Sequence, residues 1–267
     1  EMEKLDLNEI KKIVMSFEKK MSKNRELRIK FLDQPEKFID SECELFEELQ
    51  SLHTVTCSPH FFSHLIEFKL MSNLLELLCH DNNDIRAVTL ELIFETIDPE
   101  TVPEIEYLTL MTDYLLRQNL YELTISYLNS LELVDSESNS QITVGLTIIE
   151  TLVEYKPSIA SLPVTKPMLA WILTLLATAR YQPVHLHVVE ILTILLQNSE
   201  ENRDYIGTSN GIDKILICLS HYRKADPRTT DEVEYMQNLF DCACALLLSM
   251  ENRNIFVSCE GMELMIL

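Results

Sequence analysis

Glycine is nearly missing from this chain: four residues in 267, with nine prolines and one tryptophan. So few glycines leave no phosphate-cradling loop, and neither a P-loop, a G-x-S-x-G elbow nor a dinucleotide fingerprint occurs. Basic charge is also scarce, 22 Lys and Arg against 43 Asp and Glu, a formal net charge of -21. A surface so acidic repels nucleic acid and anionic membrane and steers basic polypeptides toward itself. The longest apolar run, Pro167 to Ala179, has 13 residues, short of the roughly 20 that span a bilayer. No signal peptide is visible. The cysteines number seven, an odd count among apolar neighbours with no Asn-x-Ser/Thr sequon, and they read as reduced core residues of a cytosolic or nuclear protein.

What is present is helix-forming: 46% of residues are hydrophobic, rich in Leu and Ile, with Glu prominent among the polar ones and little strand-like alternation. The clearest internal feature is a repeat. ENRDYIGTSNGIDKILI (201 to 217) returns as ENRNIFVSCEGMELMIL (251 to 267), with Glu201, Asn202, Arg203 and Gly211 matched by Glu251, Asn252, Arg253 and Gly261. Weaker copies of the second half begin at Met71, Leu120 and Met168, so that successive starts, with Ile212 and Met262, lie 49, 48, 44 and 50 residues apart. A period of this size marks stacked helical units, each burying its apolar face against its neighbours.

Each unit reads as a short first helix, a second helix of about ten residues and a longer third helix. The third helices begin near Ile85, Ile142, Val184 and Val233, with Asp84, Asn139 and Thr230 as candidate caps. Every proline falls at a proposed junction. Gly211 and Gly261 are expected to supply a left-handed residue between first and second helices. Residues 1 to 31 read as one long helix whose Lys/Arg-rich side is a solvated face, and a second helix runs from about Pro35 to Thr56. The layout is that of armadillo repeats. The expected fold is an all-α, right-handed superhelical solenoid of about five repeats over 59–267, the last one incomplete, preceded by an N-terminal helical segment over 1–58.

FEKKMSKNRELRIKFLDQPEKFIDSE (Phe17 to Glu42), LLELLCHDNNDI (Leu74 to Ile85), EILTILLQNSEENRDYIGTSNGID (Glu190 to Asp213), NLFDCACALLLSMENR (Asn238 to Arg253) and EGMELM (Glu260 to Met265) resemble segments of the beta-catenin-like protein 1 family. The likeness runs in order along the chain and is weakest between about residues 99 and 135. It implies a nuclear, non-enzymatic armadillo scaffold of the spliceosome, associated with the NineTeen complex and recognising basic, nuclear-localisation-like segments of splicing factors. It also implies that some members bind the antibody-diversifying cytidine deaminase. Members continue through further units, so by the resemblance Leu267 falls inside a second helix.

In armadillo proteins the third helices line the concave face. Here they carry Glu91 with Glu95 and Glu150 with Glu154 as i,i+4 pairs, and Glu190 and Asp241 on comparable helices. Like charges so placed repel, and a Lys/Arg-rich peptide would relieve them. These six residues are the candidate protein-binding site. The alternative is a structural subunit that binds one permanent partner, or itself, through apolar surfaces. An importin-like Trp ladder is disfavoured because Trp171, the one tryptophan, falls on a second helix. Cys57, His60 and His64, or His185 and His187, supply too few ligands for a metal site, and no cofactor is expected.

Overall fold

The computed structural model describes residues 6–131, 136–177 and 181–266, and among these every regular element is helical. They form two compact units, residues 1–123 and 124–267.

The first unit opens with α1 (Leu7–Lys30), capped by Asp6, whose side chain accepts from the Glu9 N–H while Glu9 returns the bond. Ile10, Val14, Phe17 and Met21 form its buried stripe against α2 (Ile39–Ser51), which presents Leu45 and Leu49. The basic side of α1 is more than a solvated face. Lys20 pairs with Glu48 at 2.5 Å and Lys23 with Glu44 at 2.6 Å, while Arg28 meets Glu42 and Asp81 and Arg25 meets Glu76. Each such pair is worth little alone, about 0–1 kcal/mol; those to Glu42, Glu44 and Glu48 join α1 to α2, and those to Glu76 and Asp81 join it to the helix Leu70–Leu77 and the turn that follows. The short α3 (His53–Thr56) follows and lies along α6, so residues 6–58 pack inside this unit.

The first repeat comprises α4 (Phe62–Glu67), α5 (Leu70–Leu77) and α6 (Asn83–Glu95); α7 (Ile105–Arg117) starts the second, and α8 (Leu120–Asn129) crosses the division between units. In the second unit come α9 (Ser136–Tyr155), then a 3-10 turn at Pro157–Ser161 in place of a first helix, α10 (Thr165–Leu175) and α11 (Pro183–Asn198). The next repeat is α12 (Glu200–Thr208), α13 (Gly211–Ser220) and α14 (Thr230–Leu246), and α15 (Met250–Ser258) and α16 (Gly261–Ile266) begin another. The anticipated third helices are thus α6, α9, α11 and α14. Two caps differ from expectation: Asn82 and Thr229, rather than Asp84 and Thr230, accept the first-turn N–H groups, because they are the extended residues just outside each helix. Asn139 lies inside α9.

Among the described residues four non-glycine ones are left-handed: Lys69, Asn119, Asn210 and Glu260, with φ of 60°, 62°, 59° and 58°. Each immediately precedes a second helix. This corrects the expectation for Gly211 and Gly261, neither of which has positive φ. Their demand is for space. A Cβ on Gly211 would lie 2.5 Å from Ile206 Cγ2 and 2.8 Å from the Ile206 carbonyl oxygen, and one on Gly261 would lie 2.6 Å from the Phe256 ring. The glycine lets the second helix start directly against the first. A left-handed lysine carries about 1–2 kcal/mol of strain that glycine does not, partly offset by the greater entropy of an unfolded glycine. Lys69→Gly is therefore expected to stabilise the first unit by about 0.5–1 kcal/mol, read as a higher midpoint in urea unfolding; a lower midpoint would count against the strain.

The recurring Glu-Asn-Arg is a device for stitching repeats. Asn202, 2% exposed, donates through Nδ2 to the carbonyls of Ala160 at 2.9 Å and Leu195 at 3.0 Å, and Arg203 Nη1 donates to Leu196 O at 2.7 Å. One repeat later, Asn252 Nδ2 donates to Arg203 O at 3.0 Å and Arg253 Nε to Leu247 O at 2.7 Å. The carbonyls of Leu195, Leu196 and Leu247 lie at the end of a third helix, where no intrahelical partner remains, and these side chains supply one.

Candidate functional site

The solvent-facing stripes of the third helices hold all six candidate carboxylates, but the structure treats them differently. In the first unit, Glu91 is exposed on α6. Glu95, one turn on, is half-buried: it accepts a hydrogen bond from Thr56 Oγ1 at 2.6 Å and meets His53 Nδ1 at 2.5 Å. The pair that shares a face on paper is divided by α3, which lies over the end of α6 and engages Glu95 inside the chain. Burial, then the nearby Glu95 charge, pushes the Cys57 thiol up.

In the second unit the carboxylates converge. Glu150 on α9 and Glu190 on α11 are half-buried, and Glu154 is exposed one turn beyond Glu150. Partial burial raises the Glu150 pKa, and the charges of Glu190 and Glu154 raise it further, to about 7. Two adjacent third helices, which pack against one another along α9 and α11, bring Glu150 and Glu190 together from 40 residues apart. Glu190 Oε2 stands 3.8 Å from His187 Nδ1 on its own helix. Asp241 is exposed on α14, where its charge acts on the thiol of Cys242; that thiol is buried in the α11–α14 seam, with Sγ 3.1 Å from Thr193 Oγ1.

The lining of this face includes residues that sequence reasoning did not single out. On α9, Thr147 and Thr151 turn their hydroxyls back to the carbonyls four residues earlier, each at 2.9 Å, and so present methyl groups and saturated hydroxyls beside Glu150. On α14, Gln237 and Phe240 are exposed on the same stripe as Asp241. The sequence signal available for them was helical spacing, which puts positions 237, 240 and 241 on one face of the helix.

A raised carboxylate pKa means that the folded state holds a proton the unfolded chain has released. Between about pH 4.5 and 7 the stability contribution of Glu150 therefore falls as pH rises, and the cost is complete above about 7. Discounted for solvent at a half-exposed group, it is about 1 kcal/mol. Glu150→Gln is expected to raise the melting temperature of the second unit by about 2–5 °C at pH 8 and to leave it unchanged at pH 4. Parallel melts at both pH values check this; equal shifts at both would remove the electrostatic explanation.

Of the cysteines expected in the core, Cys218 and Cys242 are buried, whereas Cys43, Cys57, Cys79 and Cys244 are exposed. Trp171 sits half-buried on the second helix α10. His185 is buried in the first turn of α11, where Nδ1 accepts from the Gln182 N–H at 3.2 Å. His60 Nδ1 pairs with the Tyr107 hydroxyl at 3.0 Å. Among the described residues no group of three or more His, Cys, Asp and Glu is placed to hold a metal ion, and no helix is long and apolar enough to cross a membrane.

Comparison with known proteins places this geometry in context. A family model described as catenin-beta-like, Arm-motif containing nuclear, matches residues 1–267. The chain is 36% identical over 263 residues to beta-catenin-like protein 1 of Bos taurus and to that of Homo sapiens, covering 98% of this chain and 47% of each relative. It is 32% identical over 262 residues to the beta-catenin-like protein 1 homolog of Schizosaccharomyces pombe, covering 97% of this chain and 46% of the relative. The chain thus spans about half the length of these relatives.

Proposed function

As a member of the catenin-beta-like family of armadillo-motif nuclear proteins, this chain, we propose, is part of a non-enzymatic nuclear scaffold of the pre-mRNA splicing machinery. In this reading it binds Lys/Arg-rich, nuclear-localisation-like segments of splicing factors along the third-helix stripe of its second unit. The observation that supports the binding mode is the convergence of Glu150, Glu154 and Glu190, whose charges add to burial in raising the Glu150 pKa to about 7. Like charges held that close to a partly dry surface are relieved by an incoming cation, and the net charge of -21 steers such a partner toward the chain. The splicing setting follows the family resemblance of the sequence. Proteins of the NineTeen complex with basic segments are the proposed partners, without direct contacts to nucleic acid or membrane.

The test is binding of a Lys/Arg-rich splicing-factor segment to the chain and to a variant with the three glutamates altered, at two ionic strengths. The exposed apolar side chains Leu248, Met250, Met262 and Ile266 favour a second reading, association with a permanent partner or a second copy through apolar contact. Salt separates the two. Binding through the carboxylates weakens steeply as ionic strength rises, whereas apolar association holds or strengthens.

A further inference from the structure

A second concave feature of this unit lies at the N-terminal ends of α11 and α14 and shares no residue with the carboxylate cluster. Tyr181, just before α11, Tyr222, in the 3-10 turn after α13, and Tyr235, in the second turn of α14, meet there. The Tyr181 and Tyr235 ring centroids are 5.1 Å apart with planes at 46°, and those of Tyr222 and Tyr235 are 6.5 Å apart at 62°. With Asp226 and Glu232 they line a pocket of about 320 Å³. Tyr235, 4% exposed, is the floor, and the half-buried Tyr181 and Tyr222 are walls.

The carboxylate at the rim is fixed in place. Glu232 accepts from the Arg228 backbone N–H at 2.8 Å and, at 3.5 Å, from the Tyr222 hydroxyl. The potential inside is negative: burial first, and then Asp231, Glu232 and Glu234, hold the Tyr181 hydroxyl above its ordinary pKa, and burial followed by Glu232 does the same to Tyr222. Arg228 and His221 also line the pocket. Among the lining residues the carboxylates of Asp226 and Glu232 outnumber the one guanidinium of Arg228, and counting the flanking Arg223, Lys224, Asp231 and Glu234 leaves the balance negative; the His221 Nδ1 is 2.9 Å from the Ile217 carbonyl oxygen.

Ring faces carry negative charge density and few hydrogen-bond acceptors. An anion is repelled from such a site, and a neutral apolar group makes no use of the carboxylates. A primary ammonium must give up strong hydration that ring faces do not replace. Methylation spreads the charge over weakly hydrated methyl groups that fit against ring faces. We propose that this pocket takes the methylated ammonium of a lysine side chain in a partner polypeptide, with the three tyrosines around the methyl groups and Glu232 and Asp226 countering the charge. A polypeptide is favoured over a free amine because the two helices framing the pocket also carry Glu190 and Asp241, which suit basic residues in the same segment.

The experiment uses a short Gly/Arg peptide with one central lysine, unmodified, dimethylated or trimethylated, and tetramethylammonium alone as the small probe. Binding is followed by fluorescence polarisation and by the proton resonances of the N-methyl groups. The methylated peptides are expected to bind about tenfold tighter than the unmodified one, with N-methyl signals moved upfield by ring currents. Tyr181→Ala and Tyr222→Ala should each remove most of that preference, and Tyr222→Phe should keep it. Glu154→Lys with Glu190→Lys should leave the preference intact even where it lowers affinity for all three peptides, which separates this site from the carboxylate stripe. Where an alanine variant melts early, Glu232→Gln is read instead, with weaker binding of the methylated forms expected and unchanged binding against the idea. Equal affinity for the three peptides, or a preference that survives both alanine variants, would overturn the proposal. A response to tetramethylammonium with no methylation effect in the peptide would assign the pocket to a free amine and equally overturn it.

Discussion

Changing Glu150 to Gln and both Glu154 and Glu190 to Lys is expected to weaken binding of a Lys/Arg-rich segment at least 30-fold to 100-fold, roughly, at about 0.1 M salt. The three carboxylates contribute about 0.5 kcal/mol each at a partly exposed surface, and repulsion from two introduced cations adds about 0.5–1.5 kcal/mol, a total of about 2–3 kcal/mol. Stability should hold or rise, because the changes remove a half-buried carboxylate and the repulsion that, after burial, raises the Glu150 pKa to about 7. A partner cation beside Glu150 would favour its ionised form, so binding near pH 6 should release a fraction of a proton. Calorimetry in two buffers of different ionisation enthalpy reads that fraction directly. Unchanged affinity, or lost affinity together with a fallen melting temperature, would sink the carboxylate reading. The quartet that sequence spacing recommends, Glu91, Glu95, Glu150 and Glu154, is the poorer choice for this experiment. Glu95 is engaged by His53 and Thr56, and its reversal would disturb the first unit regardless of any partner.

The largest expected loss of stability comes from Asn202→Ala, about 3 kcal/mol. Its amide donates to two carbonyls, Ala160 O and Leu195 O, at a site 2% exposed to water. Each buried acceptor left without a donor costs about 1–3 kcal/mol, and no solvent is at hand to replace it. Asn252→Ala, the same position one repeat on, removes a single bond to Arg203 O and should cost about half as much. The comparison is by urea unfolding followed on the second unit, since units of a repeat protein can unfold separately. Equal losses at the two positions, or less than about 1 kcal/mol at Asn202, would show that the stitching bonds do not govern the stability of the repeat. Asn202→Asp keeps the size and loses the donor, so it should be no better than alanine; a mild effect there would point to packing rather than hydrogen bonding.

Much of the architecture was legible in the residues. The second helices begin at Leu70, Leu120 and Gly211 because apolar positions recur there, and α11 and α14 were recognisable from long apolar stripes opened by turn-forming residues. The errors were local and have local causes. Gly211 and Gly261 were expected to be left-handed, yet the chain places Asn210 and Glu260 in that conformation and reserves the glycines for close approach of Ile206 and Phe256. Sequence marks a glycine as special without saying whether conformation or space requires it. The caps moved by one or two residues for a similar reason, since Asn82 and Asp84 are equally able acceptors and only the backbone path selects between them.

The candidate site was half legible. Spacing along one helix puts Glu150 and Glu154 on one face, and equally Glu91 and Glu95, so the two pairs look alike in the sequence. The tyrosine pocket left no trace in it, because Tyr181, Tyr222 and Tyr235 come from three elements with no shared period.

By itself the sequence determined the repeat register, the helical class and the family, because those depend on apolar periodicity and on contacts between neighbouring segments that recur every 44 to 50 residues. Only the tertiary structure decided which acids are available to a partner. Coulomb and desolvation energies depend on distance and burial between helices far apart in the chain, and it is the packing of α3 on α6 and of α9 on α11 that ties up Glu95 while setting Glu150 against Glu190.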